Sequence, residues 1–263
     1  MYEKEFNGLP LWQFQNLSSF DQIAHYVSGR SGGVSKGPVG EFNLSFRVND
    51  SRENVLENRR RLAEVFHIKP HKVIFPSQTH STNVKVLGTN STEETLEDTD
   101  AIITNERGVL ISVMSADCVP ILIYDPITNS AGAVHAGWRG SVGKILTKAI
   151  LAMQTNFGAR PEDMIVGIGP SICQEVYEVG AEVIAEVKNV FGTAQGLLIH
   201  KGREDKAFLN LWELNKLQLL ALGVPEQAIE IAEICTYKND HMFFSARKSA
   251  NSAGRFAAGI MVK

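Results

Sequence analysis

Short apolar segments of strand length follow one another through the middle of this chain, and their crowding constrains the fold more than any other feature. They are bounded by polar or turn-forming residues, a pattern typical of strands. Longer segments with helical periodicity lie towards the flanks. Strands in the middle with helices outside favour a layered α+β fold over strict strand–helix alternation. The predicted strands span residues 72–75, 84–87, 101–104, 109–114, 121–124 and 131–135, and the predicted helices span 141–157, 179–191 and 211–222.

A further helix is predicted at residues 50–66. Asp50 precedes Glu53 by three residues, the spacing of a capping box that satisfies the first backbone amides of a helix. Upstream, residues 28–40 are rich in glycine but match neither the phosphate-binding loop nor the dinucleotide-binding fingerprint. That segment is therefore predicted to be a flexible surface loop.

The overall composition favours chemistry on small molecules. The chain has 263 residues, of which 44% are hydrophobic and 21% are charged, and a fold of this size buries roughly 70–75% of the surface of its unfolded chain. Length alone allows one large domain or two. The net charge of −3 comes from 26 basic and 29 acidic residues without long runs of either sign. We therefore expect neither nucleic acid nor an anionic membrane as a partner.

The chain is predicted to be cytoplasmic. Its first residues include Glu3 and Glu5 where a secretory leader needs a basic and then an apolar stretch. The apolar runs 119–124 and 256–262 are far shorter than the about 20 residues of a membrane span. Three scattered cysteines are too few for a disulfide framework in a chain of this length, so we expect reduced thiols.

His80, Cys118 and His135 form a candidate metal site. Together they supply two imidazoles and a thiolate, a set that leaves the fourth position of tetrahedral Zn²⁺ open for water or substrate. Taken alone, each has a structural interpretation as a packed core residue. Asp117 beside the thiol and Arg139 after one imidazole provide polar groups that orient and tune ligands. The other cysteines and histidines lack such neighbours.

The segment after His135 is a candidate anion site. The predicted strand ends there, turns through residues 137–140 and enters a helix near Ser141. Helix N-termini expose unpaired amides and partial positive charge, and Arg139 lies beside this one. Phosphate would fit there. The alternative is a tight glycine turn with Trp138 packed into the core.

Several motifs occur in one order along the whole chain. They are Gln78-Thr79-His80, Thr99-Asp100-Ala101, Ser115-Ala116-Asp117-Cys118-Val119-Pro120, His135-Ala136-Gly137-Trp138-Arg139-Gly140, Ile168-Gly169-Pro170-Ser171-Ile172, Tyr177-Glu178-Val179-Gly180, Cys235-Thr236-Tyr237 and Phe243-Phe244-Ser245. In this order the chain resembles the laccase-domain family. That family was first labelled polyphenol oxidase and is now assigned as purine nucleoside phosphorylase with adenosine deaminase activity.

The resemblance implies a single domain over residues 1–263 with layered α/β/β/α mixed sheets, similar in fold to a cysteine–histidine toxin deamidase. It implies that His80, Cys118 and His135 bind zinc, with copper as the alternative metal. The protein is expected to be a monomer or a small homo-oligomer, a choice that the sequence leaves open. The implied pocket residues are Asn43, Arg59, Asp117 and Arg139. The chain departs from the family pattern at Ser45, Arg47, Asn49, Cys173 and Ala246, which bears on substrate preference more than on the metal.

The leading functional hypothesis is phosphorolysis of adenosine, inosine, guanosine or methylthioadenosine to the free base and ribose 1-phosphate. Arg139, the predicted helix start at Ser141 and Arg59 would hold the phosphate. For adenosine deamination, a metal-activated water would attack C6, with Asp117 as proton carrier. His80, Cys118, His135 and Asp117 are thus the predicted catalytic group.

Three other functions remain open at this point. A copper-dependent polyphenol oxidase suits a His₂Cys set, but multicopper oxidases need a trinuclear cluster built from many more imidazoles, and the seven histidines include no His-X-His pair. A hydrolase or deamidase acting on peptidoglycan precursors could use Cys118 as nucleophile and His135 as base. The third is a zinc-stabilised binding module, which the open coordination position disfavours.

Overall fold

Two six-stranded sheets form the centre of the molecule. The computed structural model describes residues 1–88, 96–192, 196–250 and 252–263. The first sheet has the order β1 (Tyr2–Phe6), β2 (Leu9–Gln13), β3 (Ile23–Ser28), β15 (Phe256–Val262), β7 (Leu110–Ser115) and β4 (Val73–Ile74). The second has the order β14 (Ile229–Ile231), β10 (Ile165–Ile168), β8 (Val119–Asp125), β9 (Ser130–Ala136), β6 (Ala101–Thr104) and β5 (Val84–Val86).

Both sheets are mixed. Most neighbouring strands are antiparallel, and the parallel pairs are β4 with β7, β5 with β6, and β10 with β14. A third, small sheet contains β11 (Glu178–Gly180), β13 (Lys206–Leu209) and β12 (Leu198–Ile199). The helices are α1 (Arg52–Val65), α2 (Trp138–Val142), α3 (Ile145–Phe157), α4 (Ala181–Phe191) and α5 (Leu211–Ala221).

Alternation along the strands divides the apolar side chains between layers. Ile121 and Ile123 of β8 face the core shared with α2 to α5, whereas Leu122 and Tyr124 face the core between the sheets. In the same way, Ala257 of β15 belongs to a core that includes residues of α1. Side chains in a strand point alternately to opposite faces, so both sheets are covered on both sides. The predicted layered α/β/β/α architecture is confirmed.

The sequence predicted the central strands better than the helix boundaries. The helix predicted for 141–157 is wrong as one element, because Lys144 adopts a left-handed conformation (φ 60°) between α2 and α3. At this junction a Cβ on Gly143 would lie 2.6 Å from Thr82 Cγ2, so the chain bends where it packs closely. The predicted start at Val179 is also wrong, since Val179 belongs to β11 and α4 begins at Ala181.

The capping prediction at α1 needs a correction of one residue. The side chain of Ser51, not Asp50, accepts a hydrogen bond from the backbone of Asn54. Asp50 instead accepts from the Ser51 amide and from the side chains of Ser35 and Asn43.

In the described part of the chain, none of the helices has the length and apolarity needed to cross a membrane.

Candidate metal centre

His80, Cys118 and His135 converge although they come from three separate segments. Their ligand atoms all lie within 4.8 Å of one another, and the Cys118 Sγ is 3.8 Å from Nε2 of His80. The imidazole rings of His80 and His135 meet edge to face, with centroids 5.0 Å apart. The structure therefore brings together all three residues of the predicted ligand set.

Strand register explains how the thiol reaches the second imidazole. Val119 of β8 pairs with Ala136 of β9, and Pro120 pairs with His135. Cys118 directly precedes β8, so it lies beside the end of β9 that carries His135. His80 arrives from the segment between β4 and β5, where it adopts a left-handed conformation with φ 63°.

Asp100 holds the imidazole of His135 and the backbone around His80 in place. Its carboxylate accepts a hydrogen bond from Nδ1 of His135 (2.8 Å) and from the backbone amides of Thr79 (3.1 Å), His80 (3.1 Å) and Ser81 (2.7 Å). Burial would raise the pKa of Asp100, but the hydrogen bond and charge of His135 hold it at about 2. An ionised acceptor on Nδ1 directs Nε2 of His135 towards the metal position. Asp100 was missed as a site residue from the sequence; the signal that could have found it is an acid directly before the buried strand β6.

The thiol and the imidazole stabilise each other's charged forms. Burial would raise the pKa of Cys118, but the charges and hydrogen bonds of His135 and His80 lower it below the usual range. Burial would likewise lower the pKa of His135, but Cys118 and Asp100 raise it above the usual range. The sulfur is therefore favoured as a thiolate, the form that binds metal.

Gly137 leaves the space that this arrangement needs. A Cβ at this position would lie 2.9 Å from the Cys118 Sγ and 3.0 Å from Cδ2 of His80. Real Cβ atoms do not approach so closely, so a larger residue would displace the ligands. The donor set, its spacing and its buried acceptor on one imidazole all fit a tetrahedral metal with one open position.

The three ligands lie on the wall of a cavity of about 620 Å³. Four arginines also line it, namely Arg47, Arg59, Arg247 and Arg255, together with the aromatic residues Phe46, Phe75 and Tyr177. Cationic groups suit an anionic reactant, and apolar rings suit a flat organic one. Arg247, Arg255 and Tyr177 were missed as site residues; Tyr177 lies in a quoted motif, and Arg47 was noted only as a departure from the family pattern.

Two predicted binding residues line this cavity. The guanidinium of Arg59 lies 4.4 Å from the ring centroids of both Phe46 and Phe75, and its Nε donates to the Leu44 carbonyl. Asp117 lies directly before Cys118 with φ 93°. Its carboxylate accepts from the Thr236 hydroxyl (2.7 Å) and from a backbone amide (2.6 Å). Both groups are held in fixed positions.

Three predicted binding residues are not among the residues that line the cavity. Asn43 is fully buried and bonds to neighbouring chain segments. The guanidinium of Arg139 stacks 4.3 Å from the Trp138 ring. Ser141 is fully buried inside α2, where its hydroxyl accepts from Asn215. The predicted helix start at Ser141 is wrong, because α2 begins at Trp138 and the Ser141 amide already bonds to the Gly137 carbonyl.

The chain is similar to known proteins over most of its length. Residues 24–263 match the model of a family described as multi-copper polyphenol oxidoreductase laccase. A protein of Bacteroides thetaiotaomicron named purine nucleoside phosphorylase is 39% identical over 257 residues, which are 95% of each chain. A protein of an unknown prokaryotic organism named adenosine deaminase RL5 is 35% identical over 256 residues, again 95% of each chain. The crystal structure of Bacillus licheniformis hypothetical protein YfiH superposes with a TM-score of 0.90 at 27% identity, covering 97% of each chain.

Proposed function

This chain belongs to the family described as multi-copper polyphenol oxidoreductase laccase. Within that family, we propose that it is a zinc-dependent purine nucleoside phosphorylase with adenosine deaminase activity. One observation carries the proposal: a His₂Cys set with an open side faces a cavity lined by arginines and aromatic rings. Relatives named purine nucleoside phosphorylase and adenosine deaminase support the choice of reaction.

His80, Cys118 and His135 are the residues proposed to hold the metal. Imidazole nitrogen and thiolate sulfur are typical zinc ligand atoms, and three protein ligands leave the fourth position open in catalytic zinc sites. Bound there, zinc supplies a Lewis acid and a means of activating water at neutral pH. Among the described residues these three form the one metal-ligating group found, and all seven histidines of the sequence are described. A multicopper centre needs many more imidazoles, so we favour a single zinc over copper.

Phosphorolysis forms a bond between a phosphate oxygen and C1′ of the ribose and breaks the bond from C1′ to the purine nitrogen. The site must therefore hold an anion beside an electron-poor sugar. Arg59, fixed between two rings, contributes positive charge to the cavity. Phe46 and Phe75 offer apolar surface for the base. Asn43, Arg139 and Ser141 are proposed to act indirectly, by supporting the chain segments around the site.

Deamination exchanges the amino group at C6 of adenosine for oxygen from water, and a side chain must carry the proton. Asp117 is proposed for this role because its carboxylate lies on the cavity wall next to the metal-binding thiol. Its two hydrogen bonds fix its orientation. A positioned carboxylate contributes to catalysis by moving a proton in the transition state.

The test is to incubate zinc-loaded protein with adenosine, inosine, guanosine or methylthioadenosine, with and without phosphate. We expect free base and ribose 1-phosphate only when phosphate is present, and inosine from adenosine in either buffer. Base release that does not depend on phosphate would reject phosphorolysis. The Cys118→Ala variant should lose both zinc and turnover.

One observation favours a second candidate, a metal-free hydrolase or deamidase of peptidoglycan precursors. Cys118, His135 and Asp100 stand in the order of a nucleophile, its base and the acid that orients the base. Such an enzyme would keep its activity after dialysis against a chelator. The zinc phosphorylase would lose its activity and regain it when zinc is returned.

A further inference from the structure

Arg255 was not singled out from the sequence, yet it lines the same cavity as His80, Cys118 and His135. Its Nη1 donates to the carbonyls of Ala253 (2.6 Å) and Gly254 (3.0 Å). Among the described residues, neither Nε nor Nη2 has an acceptor, and no acid forms an ion pair with this side chain. From this geometry we infer that the Nε and Nη2 edge of Arg255 binds the attacking phosphate; the inference rests on the proposed phosphorylase function.

The chemistry of that edge suits phosphate. Nε–H and one Nη2–H point in parallel on the same side of a guanidinium and can donate to two oxygens of one oxyanion. A half-buried cation without an anionic partner is unfavourable, and burial lowers the pKa of Arg255. A phosphate at this position would supply the missing partner.

The other three arginines that line the cavity make different contacts with the protein. Arg47 is exposed and donates to the Gln78 carbonyl and the Ser77 hydroxyl. Arg247 is exposed, donates to the Glu178 carbonyl and stacks on Tyr177. Arg59 is held by Leu44 and two aromatic rings. These three build the cavity wall, whereas the free edge of Arg255 is partly shielded from water, which strengthens binding of an anion.

Arg255 is also held rigidly from its backbone. Its amide donates to Oδ1 of Asn43 (3.0 Å), and the same oxygen accepts from the Ser45 amide (3.1 Å). Asn43 Nδ2 donates to the Ser45 carbonyl and to Asp50. Asn43 is therefore a positioning residue, which explains how a fully buried side chain supports substrate binding without lining the cavity. Preorganised donors avoid a reorganisation cost during reaction.

Asp117 and Cys118 lie near Arg255 but leave its guanidinium available to bind an anion. Asp117 and Cys118 are close enough to favour its charged form. However, Asp117 already accepts from Thr236 and the Arg247 amide, and Cys118 faces the two imidazoles. The guanidinium therefore contributes positive charge next to the metal site without being neutralised by a direct ion pair.

Kinetics of Arg255→Lys and Arg255→Gln test the inference. We expect the KM for phosphate to rise at least about tenfold in Arg255→Gln, the scale of a lost charge-assisted hydrogen bond, and to rise less in Arg255→Lys, which keeps the charge. The KM for the nucleoside should rise by a smaller factor than the KM for phosphate. Arg30→Lys is the matched control, because Arg30 also donates to backbone carbonyls and stacks on Phe244 but lies outside this cavity.

Calorimetry with inorganic phosphate on the zinc-loaded protein separates this inference from the proposed function. If the wild-type protein binds phosphate but performs no phosphorolysis, the proposed function fails while the assignment of Arg255 can still be decided. Phosphate affinity that is unchanged in Arg255→Gln would overturn the assignment. If Arg255→Gln does not fold, Arg255→Lys gives the decision, and unchanged phosphate binding in that variant likewise overturns the bidentate contact.

Discussion

The buried carboxylate of Asp100 accepts a 2.8 Å hydrogen bond from Nδ1 of His135 and, through the same side chain, binds the backbone amide of His80. One acid thus contacts two of the three residues of the candidate metal site. Because Nδ1 of His135 is occupied, only Nε2 remains available for a metal. This relationship makes the acid, which is not itself a ligand, a determinant of metal affinity.

The Asp100→Asn variant should bind zinc about 10 to 100 times more weakly, the usual effect of losing such an orienting group. The amide is uncharged, and its NH₂ group cannot accept the hydrogen bonds that now reach both carboxylate oxygens. Competition with a chromophoric chelator measures the affinity. Asp125→Asn is the matched control, because Asp125 is fully buried and accepts backbone amides of a turn away from the site. Equal zinc affinity in both variants would contradict this prediction.

Gly137→Ala should disturb the metal site without any change to a ligand. The added methyl would meet the Cys118 sulfur at 2.9 Å and the His80 ring at 3.0 Å. We expect at least about a tenfold loss of zinc affinity, comparable to the loss of ligand orientation. Gly180→Ala adds the same methyl where nothing lies within 4 Å, and it should keep its zinc. Full zinc occupancy in Gly137→Ala at limiting metal would argue against the arrangement described here.

Alkylation should distinguish the three cysteines. Cys118 is only partly buried and its pKa is lowered, whereas Cys173 and Cys235 are buried and the pKa of Cys173 is raised to about 11. Thiolates are the reactive form. We expect iodoacetamide at neutral pH to modify Cys118 first in chelator-treated protein and much more slowly after zinc is added. Peptide mass spectrometry measures the modified fraction, and a Cys118 rate indifferent to zinc would count against metal ligation.

Acid should destabilise the fold through His25. This side chain is 2% exposed, its Nε2 accepts from the Phe14 amide, and burial lowers its pKa from 6.5 to about 4. Between these values the unfolded chain binds a proton that the folded chain does not, so stability falls as pH decreases from about 6.5 towards 4. The expected loss is about 2 kcal/mol by pH 5.

Urea unfolding of metal-free protein at pH 7 and pH 5 measures this loss. His25→Gln is the control, because its amide oxygen can accept from Phe14 but has no proton to gain in this range. The stability difference between the two pH values should be smaller in His25→Gln by about the same 2 kcal/mol. Parallel losses in both proteins would show that other groups cause the acid sensitivity.

Local sequence patterns were sufficient for the central strands and the metal ligands. Every residue of β8 is buried, and its side chains enter two different cores in turn because a strand points successive side chains to opposite faces. His80, Cys118 and His135 could be selected because their side-chain chemistry and their polar neighbours are properties of short segments. The family resemblance, which the match over residues 24–263 confirms, rests on the same local motifs.

The helix boundaries and the predicted phosphate site at Ser141 depended on contacts between residues that are distant in the sequence. The break at Lys144 occurs where Gly143 packs against Thr82, a contact between residues distant in sequence. Separately, α2 starts at Trp138 and not at Ser141. Ser141 is therefore buried inside α2, and its amide bonds to the Gly137 carbonyl. Periodicity alone cannot reveal such a break, since apolar residues on both sides continue the helical pattern.

The sequence by itself determined which side chains have metal-binding chemistry and which segments in the middle of the chain form strands, because ligand chemistry and strand alternation belong to single residues and their immediate neighbours. Only the tertiary structure decided that Asp100 joins the His135 imidazole to the His80 backbone and that Asn43 positions Arg255, 212 residues away along the chain. The first contact depends on the register of β6 against β9, and the second depends on the packing of two chain segments that are far apart in the sequence. Register and packing are set by the simultaneous burial of many residues, so no single motif specifies them.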